Sequence, residues 1–143
     1  MSSFVWDTKF NSGIESMDVQ NRKIFDYMTT IYNELVDIRQ KCDPFNRMFD
    51  QLELLCKMHF MDAEQLMEKM KYPSVPDHKR QHDLFLAAIH QFKTQKKQCH
   101  TPMIINDFIK LRWDYISHML NETVVLRELI KAGEGEDSAD SAQ

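Results

Sequence analysis

Glycine is scarce in this chain, three among 143 residues, and with it go the Gly-rich loops that cradle phosphates. Valine is sparse too, whereas ten Met and nine Phe accompany many Leu and Ile, a composition that favours helices over strands. No window approaches the roughly 18 apolar residues needed to span a bilayer. The first residues, MSSFVWDTKF, lack the basic start and apolar run of a signal peptide. Cysteine is limited to Cys42, Cys56 and Cys99, an odd number with no CxxC pair. That argues against a disulfide framework and a Cys-rich zinc site, and the expectation is a reducing, cytoplasmic compartment. Basic charge is not in excess either. The net charge of −4 comes from the segment 133–143, GEGEDSADSAQ, with Glu134, Glu136, Asp137 and Asp140 and no Lys or Arg. The remainder is neutral, so no field is built for nucleic acid or an anionic membrane. This segment reads as an acidic, disordered tail after one domain spanning 1–132.

What is present is a helical pattern, repeated. An arm of about 14 residues comes first, with Trp6 and Phe10 as expected anchors and Gly13 as a break. A helix from Ile14 to Gln40 carries the stripe Met17, Asn21, Ile24, Met28, Ile31, Leu35, Ile38, in alternating steps of four and three. Asp43-Pro44 opens a second helix, with stripe Met48, Leu52, Leu55, His59, Ala63, Leu66, Met70. The turn from Lys71 to Pro76 stops it. A third helix begins near Asp77 with His78, His82, Phe85, Ile89 and Phe92 on one side. After a polar connector from Lys93 to Thr101, Pro102 starts the fourth, whose stripe is Ile104, Phe108, Leu111, Tyr115, His118, Glu122, Val125, Leu129. Four amphipathic helices with short connections predict an all-α fold, an antiparallel up-down four-helix bundle with an N-terminal arm.

Polar residues interrupt these stripes. Asn21, His59, His78, His82, His118 and Glu122 all fall on core-facing positions, where an unpartnered polar group costs about 1–3 kcal/mol. His78 and His82 form an HxxxH pair that stacks two imidazoles on one helix face. His118 would supply a third nitrogen, Glu122 an oxygen one turn later, and His59 faces the same interior from the second helix. The pattern leaves two readings open: a metal site, or a hydrogen-bonded polar layer without metal.

The residues also resemble a known family. Trp6-Asp7, Gly13-Ile14 and Met17-Asp18-Val19-Gln20 are followed in order by His59-Phe60, Glu64, Leu66-Met67, Tyr72-Pro73, His78-Lys79-Arg80-Gln81-His82 and His118. Over roughly residues 6–130 this set resembles the hemerythrin family, of the bacteriohemerythrin type. Its members bind two irons with five histidines and two bridging carboxylates, and many bind dioxygen reversibly. The resemblance assigns His59, His78, His82 and His118 as metal ligands. It also puts Asn21 at the place of the family's first histidine, Ala63 at its bridging Glu and Thr123 at its bridging Asp. Two neighbouring irons need anionic bridges, and both are missing from their usual places. Glu122 is left as a replacement ligand or an outward acid, Glu64 is expected to face outward, and Asp62 adjoins Ala63. Trp113 stands one residue further from His118 than the family spacing; a slide by one would bring Glu122 to the bridging position and Ser117 to that of the histidine.

The expectation is therefore a non-enzymatic, hemerythrin-like binding or signalling module with a degenerate site. It would hold a single divalent ion, iron or zinc, or none, and not a di-iron pair; the partner would be a protein, with neither nucleic acid nor membrane. The alternatives are a dioxygen-binding or oxygen/iron-sensing di-iron protein with rearranged ligands, and a metal-free interaction bundle. Cys42 and Cys99 fall in connectors and Cys56 beside a stripe, so no Cys–His nucleophile pair is expected, and the Met residues at helical spacing read as core.

Overall fold

A computed structural model of the protein describes residues 6–37, 39, 42–93 and 100–141, with the side chains of 43–44 and 135–141 left aside. A short 3-10 turn, Thr8–Phe10, precedes α1 (Glu15–Val36), α2 (Asp43–Lys69), α3 (Val75–Lys93) and α4 (Pro102–Ser141). Each helix packs on its sequence neighbours and α4 closes the ring against α1, the four-helix bundle that the periodicity predicts. Ile38 and the connector segment 94–99, which includes Cys99, lie outside the described residues.

Prolines mark the helix starts for a physical reason: the first turn has no use for the N–H that proline lacks. Pro44 occupies the first turn of α2, Pro102 begins α4, and Pro76 sits inside the first turn of α3. That helix accordingly starts at Val75, two residues before the expected Asp77. α2 ends with Lys71 in the left-handed region (φ 63), where the amide of Tyr72 bonds the Met67 carbonyl at 2.9 Å.

The main core is apolar and aromatic. Ile24, Met28, Ile31 and Leu35 from α1 meet Phe49, Leu52, Cys56 and Phe60 from α2, with Ile89 from α3 and Phe108, Leu111 and Tyr115 from α4. Each large side chain so removed from water contributes about 1.5–3 kcal/mol. Two stripes differ from expectation. On α2, Met48, Leu55 and Leu66 are only half-buried, while Phe45, Phe49, Cys56, Phe60 and Met67 are core. The helix packs against both α1 and α3, so its buried face is wider than one stripe and Cys56 lies inside it. On α4, Val125 and Leu129 give way to Met119, Thr123 and Leu126. The expected boundary at 132/133 falls within α4, whose backbone stays helical to Ser141.

The arm is fastened at both ends. Asp18 accepts hydrogen bonds from the Ser12 amide (2.7 Å) and hydroxyl (2.8 Å) and from the Gly13 amide (3.3 Å). Gly13 has φ +92, a conformation that a side chain at this turn would strain. Upstream, Trp6 meets the edges of Phe10 and Phe25 at ring distances of 5.3 and 5.7 Å. The Thr123 hydroxyl donates to the Phe10 carbonyl at 2.9 Å, and Arg127 reaches the carbonyls of Lys9 and Asn11.

Candidate metal centre

Three helices aim polar side chains at one point. His78 and His82 stand one turn apart on α3, His118 and Glu122 one turn apart on α4, a spacing that puts each pair on a single helix face. One donor atom from each of the four lies within 4.8 Å of all the others. His82 Nε2 is 3.0 Å from His118 Nε2. Glu122 Oε2 is 3.7 Å from His118 Nε2 and Oε1 is 3.9 Å from His78 Nε2. His59, from α2, approaches the other side of the carboxylate, with Nε2 3.2 Å from Oε2.

Outer partners fix two of the histidine rings. His82 Nδ1 donates to Glu64 at 2.6 Å, and the ring stacks on Phe60 with centroids 4.0 Å apart and planes 4° apart. Its Nε2 is thereby presented to the interior in the manner of an oriented metal ligand. Glu64 is thus turned toward the site, contrary to the expectation of an outward acid: its neighbour across the helix interface is an imidazole N–H, which the sequence of α2 alone does not reveal. On the far side, Gln20 donates to Asp62 at 2.8 Å, which leaves its carbonyl to accept from His59 Nδ1 at 2.7 Å. Gln20, Glu64 and Phe60 are supporting residues whose roles the helical stripes do not reveal; each stands next to a stripe position and among the residues that carry the family resemblance.

The three substituted positions have other occupations. Asn21 accepts a hydrogen bond from the Tyr115 hydroxyl at 2.6 Å. Ala63 is fully buried among Met17, Met67, Val75 and Leu126. Thr123 is committed to the arm. None of the three presents a charge. Asp62 is exposed and engaged by Gln20, so the described carboxylate that reaches the inner cluster is Glu122. Ser117 is exposed while His118 joins the cluster, so the histidine half of a one-residue slide along α4 does not occur, although Glu122 enters the interior.

Burial sets the electrostatics. Desolvation pushes the pKa of both His82 and His118 down to about 3, with neighbouring histidines adding to the shift and Glu122 opposing it. Both rings are therefore neutral at physiological pH, the form in which imidazole binds metal. Burial pushes the Glu122 carboxyl up, but the hydrogen bond to His59 and the surrounding histidines outweigh it and hold the group ionised. Burial raises Glu64. It raises Tyr115 well above the usual phenol value, so the Asn21 side of the interior carries a neutral phenol and amide.

A family model described as the Hemerythrin HHE cation binding domain matches residues 12–132. The chain belongs to the hemerythrin family. It is 27% identical over 96 residues to a bacteriohemerythrin of Clostridium acetobutylicum, covering 65% of this chain and 74% of that protein. To a bacteriohemerythrin of Stenotrophomonas maltophilia it is 26% identical over 93 residues, 65% of this chain and 60% of the relative. A myohemerythrin of Riftia pachyptila is 25% identical over 88 residues, covering 62% and 67% respectively. No solved structure gives a match.

The hemerythrin-family cluster fits a metal ion. His78 Nε2 and Glu122 Oε1 are buried with no hydrogen-bond partner, and such orphans cost about 1–3 kcal/mol each unless something else takes their lone pairs. A cation among them would do so. Nitrogen donors about 2.0–2.1 Å from a tetrahedral ion lie about 3.3–3.4 Å apart; the four donors here all lie within 4.8 Å of one another, with His82 and His118 at 3.0 Å and Glu122 at 3.7 Å from His118 and 3.9 Å from His78. His78, His82, His118 and Glu122 would hold the ion, which supplies Lewis acidity or, if iron, a redox centre. Among the described residues no helix is long and apolar enough to cross a membrane. Cys42 is disulfide-bonded and Cys56 is free and buried; the odd cysteine count, read as arguing against a disulfide framework, does not anticipate the bond at Cys42.

Proposed function

We propose that this chain is a hemerythrin-family module that holds one divalent ion, iron or zinc, on His78, His82, His118 and Glu122. The observation that carries the reading is the pairing of two orphaned buried atoms, His78 Nε2 and Glu122 Oε1, with neutral His82 and His118 beside them. In this reading the degenerate half of the interior, at Asn21, Ala63 and Thr123, holds no second ion, because it offers neither an anionic bridge nor the family's extra histidine. The module is then a binding or signalling element for a protein partner, not a dioxygen carrier or an enzyme. Its cytoplasmic placement rests on composition.

A second reading has one observation in its favour. Glu122 turns its two oxygens to different histidines, Oε2 to His59 and Oε1 toward His78, as a carboxylate shared by two ions would. That reading is a di-iron, dioxygen-binding or iron-sensing protein with rearranged ligands. Elemental analysis of protein purified without chelator from iron- and zinc-supplemented cells separates the two. One ion per chain and no oxo-bridge absorption are expected. Two irons per chain with such a band would overturn the one-ion reading; a chain free of metal would leave a metal-free interaction bundle.

A further inference from the structure

The three histidines of the cluster are not held alike. His78 and His82 have side chains 3% and 1% exposed, whereas His118 is 12% exposed. His82 is braced from behind by Glu64 and stacked on Phe60. His118 meets Phe60 only edge-on at 5.6 Å, and among the described residues no hydrogen bond reaches its Nδ1. A metal-binding imidazole without an outer partner lacks the brace that holds the orientation of its ring. Among the described residues His78 has no side-chain hydrogen bond, so what sets His118 apart is its exposed side combined with the lack of a brace behind it.

It also has somewhere to swing. A cavity of about 410 Å³ opens between α3 and α4, with Leu84 and Ala88 on one wall, Ser117 and Asn121 on the other, and His118 at its floor. α3 and α4 are the neighbouring helices that touch least, and Leu84 at the rim is 68% exposed. Away from the cleft, Phe60 from α2, 1% exposed, lies against both His82 and His118.

We infer that the α3–α4 cleft is the passage by which a divalent cation reaches and leaves the cluster, with His118 as the displaceable ligand. This rests on the one-ion reading above and adds a kinetic role that the ligand set alone does not contain. Exchange of the ion requires one ligand to let go while the others hold. Here the ligand that lets go lies on the solvent side, and His78, His82 and Glu122 lie behind it.

The test is stopped-flow transfer of zinc from the loaded full chain to an excess of chromophoric chelator. Ser117→Phe and Leu84→Trp fill the cleft from opposite walls at exposed positions, and neither residue is a ligand. Each is expected to slow zinc release about tenfold, equivalent to about 1.4 kcal/mol of added barrier, with the zinc content at saturation unchanged. Leu84→Ala, which widens the rim, is expected to speed release, and Met58→Phe, exposed on α2, to leave it unaltered. Normal loading with release rates equal in all five proteins, wild type included, would overturn the passage while sparing the one-ion reading. A wild-type chain that takes up no zinc or iron would overturn both.

Discussion

The two halves of the polar interior differ in what their side chains are free to do. On the α3–α4 side, three imidazoles and a carboxylate converge with two buried atoms left without a hydrogen bond. On the α1–α2 side, Asn21 is bonded to Tyr115 and Ala63 lies against methionines; Thr123, nearby on α4, is bonded to the arm. The first half keeps its lone pairs for a guest, and the second spends them within the protein. A family's ligand position can therefore be lost without leaving a hole: a shorter or neutral residue arrives together with the neighbour that satisfies it.

That contrast can be broken most sharply by His82→Ala. Removing the best-oriented ligand is expected to weaken zinc or iron binding by about a thousandfold, roughly 4 kcal/mol, as read by competition with a chelator of known affinity. If binding survives intact, the convergent half is not the metal site. Next in size is Ala63→Glu, which places a carboxylate in an apolar, fully buried setting. The metal-free protein is expected to lose about 2–4 kcal/mol in urea unfolding. Recovery of that loss on adding iron, with two irons bound, would mean that a single residue stands between the two halves.

Acid should distinguish the halves as well. His82 and His118 have folded pKa values depressed to about 3 from an ordinary 6.5, so below pH 6.5 the unfolded chain binds protons that the native state refuses. Stability of the metal-free protein is then complete above 6.5 and falls as the pH drops toward 3, by at most about 1.4 kcal/mol per unit for each ring. Thermal melts between pH 7 and pH 5 should show this fall, and His82→Ala should flatten it. Melts independent of pH over that range would contradict neutral burial of the two rings. The smallest effect is expected on the satisfied side. Tyr115→Phe removes the hydrogen bond to Asn21 at a cost of about 1 kcal/mol and should leave metal content untouched; a drop in bound metal would show that the two halves are coupled.

Much of this was legible in the sequence because helices write their buried face at a fixed period. The α1 stripe from Met17 to Leu35 is buried as expected, and Pro44 and Pro102 mark helix starts for a steric reason that needs no tertiary context. Glu122 falls on the α4 stripe and is buried. The misses occur where a second helix decides. Phe45, Phe49, Cys56 and Phe60 widen the α2 face because α3 packs there too, and Glu64 turns inward because His82 offers it an N–H. Neither partner is near in sequence, so periodicity along one helix carries no trace of either. The fate of Thr123 likewise depends on a carbonyl 113 residues earlier in the chain.

That last contact has a consequence for the rotational setting of α4. Successive residues on an α-helix are about 100° apart, so Glu122 and Thr123 cannot share a direction, and whichever is anchored dictates where the other looks. With Thr123 hooked to Phe10 and Arg127 to Lys9 and Asn11, the arm works as a dial stop: it fixes the angle at which the carboxylate enters the interior. A chain shortened by its first 13 residues would keep every ligand and lose the stop that aims one of them.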